Sequence, residues 1–147
     1  ATSIILLICA SAMLAGCGAG AAEAPSQTSS QVDPEKSGWL VTDAGQSHID
    51  DAARKGLPAV VKLGSDKCVP CREMNPVMAE LARQYSGKIM FLMVDVYKNQ
   101  DLASKYGVKV IPTILFIDAS GKPVAYSEGY ASVDEMKSFI AKSKILK

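Results

Sequence analysis

Two cysteines three residues apart, Cys68 and Cys71, are the residues of this sequence best suited to covalent chemistry. They follow a short apolar run typical of a strand and precede a segment with helical spacing, so Cys68 should lie where a helix begins. Unpaired backbone N–H groups at a helix start favour a thiolate over a thiol and lower the pKa of a cysteine there. An ionised Cys68 could attack a disulfide in another molecule, and Cys71 could then resolve the mixed disulfide by an intramolecular step. Run in reverse, the same pair would donate a disulfide.

Strands and helices alternate around this pair. Continuous apolar runs predict strands over residues 59–63, 89–96, 113–117 and 123–127. Helical spacing and end signals predict helices over residues 46–55, 68–85 with a kink at Pro76, 99–106, and from Ser132 onwards. Turn residues between the last two strands predict an antiparallel hairpin. Residues 39–147 should therefore form one α/β domain, a central mixed sheet flanked by helices.

The overall composition argues against several classes of protein. The chain has 147 residues, which corresponds to about one domain. Its 16 Lys and Arg against 15 Asp and Glu give a net charge of +1, so no strong field of one sign would attract nucleic acid. No glycine-rich phosphate-binding loop is present. We expect a monomer that does not bind nucleic acid.

The sequence also argues against a metal or haem centre in residues 39–147. A zinc site needs about four ligands, whereas this part of the chain offers one cysteine pair and the single histidine, His48. His48 lies far from the cysteines in sequence and should be a solvated or capping residue. Covalent haem of the c type is excluded because Arg72, and not a histidine, follows Cys71. We expect no metal.

The start of the chain has the character of a targeting segment. Residues 4–14 are uncharged and mostly apolar, too short to span a membrane but long enough for the central part of a signal peptide. The residues Leu-Ala-Gly that precede Cys17 resemble the lipobox of bacterial lipoproteins. That resemblance implies a signal peptide over residues 1–17, its start truncated, with Cys17 lipidated. The alternatives are a signal peptide cleaved elsewhere or an uncleaved anchor, and each also places the remainder outside the cytoplasm.

Residues 18–38 have the composition of a flexible tether. Ala, Ser, Gln, Gly and Pro dominate, and the first large aromatic residue is Trp39. Such a segment cannot bury enough apolar surface to offset the entropy lost on ordering. A flexible coil of this length spans about 25 Å, enough to hold a small domain away from a bilayer. The alternative is that part of the segment packs on the domain.

Four motifs in order give residues 39–147 a family resemblance. They are the Cys-Val-Pro-Cys sequence at residues 68–71, Pro76, the Tyr-Gly-Val-x-x-Ile-Pro-Thr run at residues 106–113, and Gly129. Together they resemble the thioredoxins and thioredoxin-like thiol–disulfide oxidoreductases, which implies the thioredoxin fold. By this resemblance Cys68 is the nucleophile and Cys71 the resolving thiol.

The resemblance also assigns a role to the residues before the third predicted strand. Pro112 should be the cis-proline that stands beside the active site in this family. A cis bond would turn the backbone of Ile111 outward, where its N–H and C=O groups could pair with an extended substrate segment. The alternative for Pro112 is a trans residue at the entrance of a strand.

Two lysines depart from the family pattern. Many members carry a tryptophan just before the first cysteine and a buried acid six positions before it, where this chain has Lys67 and Lys62. Lys62 could lie partly desolvated under the active site and tune the pKa of Cys71 or act as its base. The alternative is that it reaches out to solvent from a strand edge. Lys67 and Arg72 could stabilise a thiolate or could be ordinary solvated side chains.

These observations predict a membrane-tethered thiol–disulfide oxidoreductase outside the cytoplasm. Its partners would be exported proteins with cysteines or disulfides, and its redox-active group would be the Cys68–Cys71 disulfide, without an organic cofactor. Reduction is favoured over oxidation because Pro70 matches the thioredoxin dipeptide, and a membrane electron donor would then be needed. The alternatives are a non-catalytic binding lipoprotein of the same fold and a redox sensor.

Overall fold

A mixed five-stranded sheet lies at the centre of the domain. The computed structural model describes residue 33 and residues 35–146, so the predicted signal segment with Cys17, and most of the predicted tether, lie outside the described residues. The strands are β1 (Leu40–Val41), β2 (Ala59–Gly64), β3 (Met90–Asp95), β4 (Thr113–Ile117) and β5 (Pro123–Glu128). Their order is β1-β3-β2-β4-β5, with β3 parallel to β1 and β2, and β4 antiparallel to β2 and β5. The predicted mixed sheet and its hairpin are confirmed.

Helices cover both faces of this sheet. They are α1 (Gln46–Arg54), α2 (Val69–Glu73), α3 (Asn75–Gln84), α4 (Gln100–Lys105) and α5 (Val133–Ser143). Val60 and Phe91 belong to a core that includes buried residues of α3 and α5, whereas Val61 and Leu92 belong to a second core with α1 and α4. Successive strand residues thus point to opposite buried faces, as expected for a sheet covered on both sides. Among the described residues no helix is long and apolar enough to cross a membrane.

Strand β1 was not predicted from the sequence. It has only two residues, and it pairs with the first half of β3, where Leu40 lies opposite Phe91. Just before it, residues 35–38 form a turn, and Thr42 donates a hydrogen bond of 3.4 Å to Glu35. The described end of the predicted tether therefore contacts the domain.

The helix predicted over residues 68–85 is divided in two. Residue Met74 separates α2 from α3, two positions before the predicted kink at Pro76. Proline has no backbone N–H, and its ring crowds the carbonyl four residues earlier, which here is that of Arg72. The helical hydrogen bonds are therefore interrupted one turn before the proline, and the prediction of a single kinked helix is wrong in this respect.

Candidate active site

Cys68 occupies the N-cap position of α2. Strand β2 ends at Gly64, and the loop that follows is closed by a hydrogen bond of 3.1 Å from the Cys68 N–H to the carbonyl of Ser65. The Cys68 sulfur accepts a hydrogen bond of 3.3 Å from the Cys71 N–H, which is one of the otherwise unpaired donors of the first turn. Pro70 fits this first turn because its missing N–H would have had no helical partner. The loop and the helix start together fix the position of the sulfur.

The two cysteines are joined by a disulfide and differ in exposure. Their Cα atoms are 5.2 Å apart. Cys68 is partly exposed, whereas Cys71 is only 1% exposed and belongs to the buried side of α2. A substrate can therefore reach the sulfur of Cys68 but not that of Cys71. This is the arrangement needed for one attacking and one resolving sulfur.

The backbone before β4 lies against the Cys68 sulfur. The Ile111–Pro112 peptide bond is cis, as the resemblance implies. The Cys68 sulfur lies 3.9 Å from the Ile111 carbonyl oxygen, and Pro112 is buried while Ile111 is partly exposed. The Pro112 carbonyl accepts a hydrogen bond of 2.8 Å from Gly129, which anchors this segment to the end of β5. The four residues predicted to form the site are thus brought together.

Gly64 leaves room for the buried sulfur. A Cβ atom at this position would lie 3.0 Å from the Cys71 sulfur and 3.2 Å from its Cβ atom. Its backbone does not lie in the left-handed region that favours glycine, unlike that of six other glycines. The requirement for glycine at the end of β2 is therefore one of packing against Cys71.

We expect Gly64→Ala to lower the free energy of unfolding of the oxidised protein by about 1–3 kcal/mol, the usual cost of overpacking a core. The added methyl group would overlap a sulfur that the disulfide holds in place. Urea denaturation of the oxidised protein measures this loss. Gly45→Ala is a matched control, because Gly45 also has an ordinary backbone conformation and its Cβ would meet only an asparagine side chain at 3.2 Å. If Gly64→Ala lowered the free energy of unfolding by no more than Gly45→Ala does, the result would contradict the packing of Gly64 against Cys71.

Lys62 is buried directly beneath the resolving cysteine. It lies on β2, which pairs with β3 on one side and β4 on the other, and its side chain is only 6% exposed. Its Nζ donates a hydrogen bond of 3.2 Å to the Cys71 carbonyl and another to Oδ1 of Asn75. The alternative of a lysine that reaches solvent from a strand edge is wrong, because β2 is a central strand. Burial lowers the pKa of Lys62, and the charge of Asp66 opposes that shift.

Other charged residues near the cysteines lie at the surface. Lys67 and Arg72 are exposed, and the Arg72 guanidinium donates a hydrogen bond of 2.8 Å to the backbone carbonyl of Asp66. This hydrogen bond connects the side chain of Arg72 to the loop before Cys68 and stabilises that loop. His48 caps α1, since its Nδ1 accepts a hydrogen bond of 3.2 Å from the Gly45 N–H, in agreement with the predicted capping role.

The sequence analysis missed Asn75. Its Oδ1 is one of the two acceptors that hold the Lys62 ammonium, and it is the first residue of α3. The spacing in the sequence could have indicated this role. Asn75 follows Cys71 by four residues, so the two should lie on the same side of a helix. In the described residues 35–146, no group of three His, Cys, Asp or Glu side chains could hold a metal ion.

This geometry defines a dithiol–disulfide exchange site on an α/β fold. The reachable sulfur stands at a helix start, its disulfide partner is buried one turn on, and a backbone carbonyl lies beside it. Such a pair exchanges its disulfide with those of other molecules.

Comparison with known proteins gives the family. The Thioredoxin family profile matches residues 41–142. The thioredoxin of Borreliella burgdorferi is 37% identical over 87 residues, which cover 59% of this chain and 74% of that protein. The thioredoxin of Pseudomonas aeruginosa is 34% identical over 100 residues, covering 68% and 90%. The structure of a mutant thioredoxin from Halobacterium salinarum NRC-1 superposes with a TM-score of 0.63 at 30% identity, covering 71% of this chain and 89% of that one.

This chain belongs to the thioredoxin family. It has the thioredoxin fold predicted from its motifs, and it is a thiol–disulfide oxidoreductase with the Cys68–Cys71 pair.

Proposed function

We propose that this chain is a lipid-anchored thiol–disulfide reductase that acts outside the cytoplasm on disulfides in exported proteins. The observation that carries the proposal is the uncharged apolar segment ending at Cys17, with the small residues of a lipobox before it. This segment lies outside the residues matched by the thioredoxin profile. It is followed by a stretch of small and polar residues, which suits a tether between a lipid anchor and the domain.

In the proposed reaction the Cys68 thiolate attacks one sulfur of a substrate disulfide. A mixed disulfide forms between Cys68 and that sulfur, and the other substrate sulfur leaves as a thiolate. The Cys71 thiolate then attacks the Cys68 sulfur, so that the protein disulfide forms and the second substrate thiolate leaves. An extended substrate segment would pair with the backbone of Ile111, whose carbonyl lies 3.9 Å from the Cys68 sulfur. No organic cofactor takes part.

The proposed direction of the reaction is reduction. Its support is Pro70 between the cysteines and the similarity to proteins named thioredoxin. Compartments outside the cytoplasm are oxidising, so the dithiol would have to be regenerated by an electron donor in the membrane. We expect equilibration with dithiol buffers to give a reduction potential near that of thioredoxin, about −270 mV. A potential near about −120 mV, as in a strong oxidant, would contradict the proposed direction.

Lipidation is tested by labelling the full-length protein with a fatty acid in a bacterial host. We expect the wild-type protein to carry the label and to sediment with membranes, because the lipid supplies the anchor. Replacing Cys17→Ser should abolish the label and release the protein from the membrane fraction. The matched control is Cys9→Ser, which removes the other cysteine of the same apolar segment and should change neither result. Label retained in the Cys17→Ser variant would contradict the proposed anchor.

A further inference from the structure

Lys62 is a buried cation held by uncharged groups. Its side chain is 6% exposed, and both hydrogen-bond acceptors of its Nζ, the Cys71 carbonyl and the Asn75 amide oxygen, are neutral. Removing a charge from water is costly when no opposite charge is bound directly to it. This cost lowers the pKa of Lys62. The lysine therefore loses its proton, and becomes a neutral amine, at a pH nearer to the physiological range.

Lys62 and the Cys71 sulfur border the same small space. The position that a Cβ atom of Gly64 would take lies 3.0 Å from that sulfur and 3.8 Å from Cε of Lys62. Because Gly64 has no side chain, the Cys71 sulfur and Cε of Lys62 face the space that a Cβ atom would fill. The Nζ is already fixed 3.2 Å from the backbone carbonyl of the same cysteine. A proton could pass between the two groups through one water molecule.

A cavity connects Lys62 to solvent. It has a volume of about 400 Å³ and is lined by Lys62, Gly64 and Asn75, among others. The charged groups that also line it are Asp43 after β1, Asp66 in the loop before α2, Asp95 at the end of β3 and Lys98 in the turn that follows. Lys98 is held by Asp43 at 3.2 Å. The cavity therefore gives a proton on Lys62 a polar route to water.

We propose that Lys62 accepts the proton of the Cys71 thiol when the mixed disulfide on Cys68 is resolved. The thiol gives its proton to the neutral amine, and the resulting thiolate attacks the Cys68 sulfur. The bond between the Cys68 sulfur and the substrate sulfur breaks, and its electron pair leaves on the substrate thiolate. The substrate is thereby reduced and the dithiol oxidised, while Lys62 becomes an ammonium that can donate hydrogen bonds to the Cys71 carbonyl and to Asn75, the two acceptors beside its Nζ. The inference rests on dithiol–disulfide exchange alone and not on the compartment.

The two steps can be separated with an aromatic disulfide, DTNB, at equimolar concentration with the reduced protein. Attack by Cys68 releases one coloured thiolate, and resolution by Cys71 releases the second. We expect Lys62→Met to slow the second release at least about tenfold at neutral pH, since each unit added to the pKa of Cys71 lowers its thiolate fraction about tenfold. The first release should change less than about twofold. The second release should also become more strongly dependent on pH.

Lys88→Met is the matched control. Lys88 is an exposed lysine two residues before the start of β3, at the end of the sheet away from the cysteines. Its replacement removes the same charge and should leave both releases unchanged. Lys62→Arg distinguishes a lysine that accepts a proton from one that acts only by its positive charge. Arginine keeps the charge but does not lose a proton in this pH range, so it cannot accept one. A second release restored by arginine, or unaffected by methionine, would overturn the proposal. Loss of the first release in the wild-type protein would instead contradict the exchange reaction itself.

A measurement on the wild-type protein does not depend on the folding of a variant. The ¹³Cε signal of Lys62 and the ¹³Cβ signal of Cys71 are followed by NMR as the pH is raised. In the reduced protein we expect the two signals to share an inflection, because interacting groups titrate as a pair. In the oxidised protein Lys62 should titrate alone and at a different pH. Identical titrations of Lys62 in the two states would overturn the proposal.

Discussion

Replacing Cys68→Ser should reduce the rate of insulin reduction by dithiothreitol to that of dithiothreitol without protein. The hydroxyl of serine does not ionise in this pH range, so the attacking thiolate is lost. Cys71→Ser should instead leave the first step intact and halt the second, because Cys68 keeps its position at the start of α2 while its resolving partner is gone. When this variant is reduced, freed of dithiothreitol and mixed with insulin, stable mixed disulfides between Cys68 and insulin should accumulate. Turbidity records the rate, and non-reducing electrophoresis with mass spectrometry records the trapped complex.

Ser138→Ala is the control for this experiment, since it removes an exposed hydroxyl group on α5 and leaves both cysteines of the site unchanged. Its rate should equal that of the wild-type protein. Undiminished reduction by the Cys68→Ser variant would contradict the assigned nucleophile. Complexes trapped through Cys71 in the Cys68→Ser variant would reverse the two assigned roles.

We expect Phe91→Ala to cause the largest loss of stability among the variants considered, about 3–5 kcal/mol in the free energy of unfolding. Phe91 lies on β3, is fully buried, and packs in the core beneath α3 with the Tyr85 ring 6.3 Å away. Truncation removes the transfer free energy of the ring and leaves a cavity that a close-packed sheet cannot refill. Because domains are stable by only about 5–15 kcal/mol, this loss could consume most of the total.

Phe139→Ala is a matched control within the same core. Phe139 lies on α5, is only partly buried, and stands 6.3 Å from the Phe116 ring. Its truncation should cost clearly less, because water already contacts part of the ring and can fill the space. Urea denaturation of the three oxidised proteins gives both differences. Equal losses in the two variants would contradict the assignment of Phe91 to the centre of the core.

Most of the sheet could be predicted because its signals are local. The runs that became β2, β3, β4 and β5 are continuously or alternately apolar and end at turn residues, and the hairpin follows from the residues between the last two strands. Strand β1 could not be predicted in this way. Its two residues are too few to show a period, and they form a strand only because β3 lies alongside them.

The position of Lys62 required the order of the strands. The sequence around it is apolar on both sides, which fits a strand covered on both faces as well as one at an edge. Only the pairing of β2 with both β3 and β4 shows that the lysine is enclosed. The break at Met74 was also not predicted from the sequence. Pro76 disturbs helical hydrogen bonds about one turn before its own position, so the helix ends before the proline and not at it.

The cysteine pair of the candidate active site could be predicted because its motif is contiguous. The spacing of Cys68 and Cys71 and their place between a strand and a helix are visible in the sequence. The approach of Ile111 to Cys68 is not, since the two are separated by 43 residues and meet only through the fold. The family resemblance supplied that contact.

The central claim is that in the reduced protein the Cys68 sulfur is a reachable thiolate at the start of α2, with Cys71 buried behind it. Its most direct test is the pH dependence of alkylation of the reduced protein by iodoacetamide, with each cysteine followed separately by peptide mass spectrometry. We predict that Cys68 is alkylated before Cys71 and that its rate has a midpoint below the value of about 8.5 for a free thiol. Earlier alkylation of Cys71, or a midpoint for Cys68 at or above that value, would contradict the account.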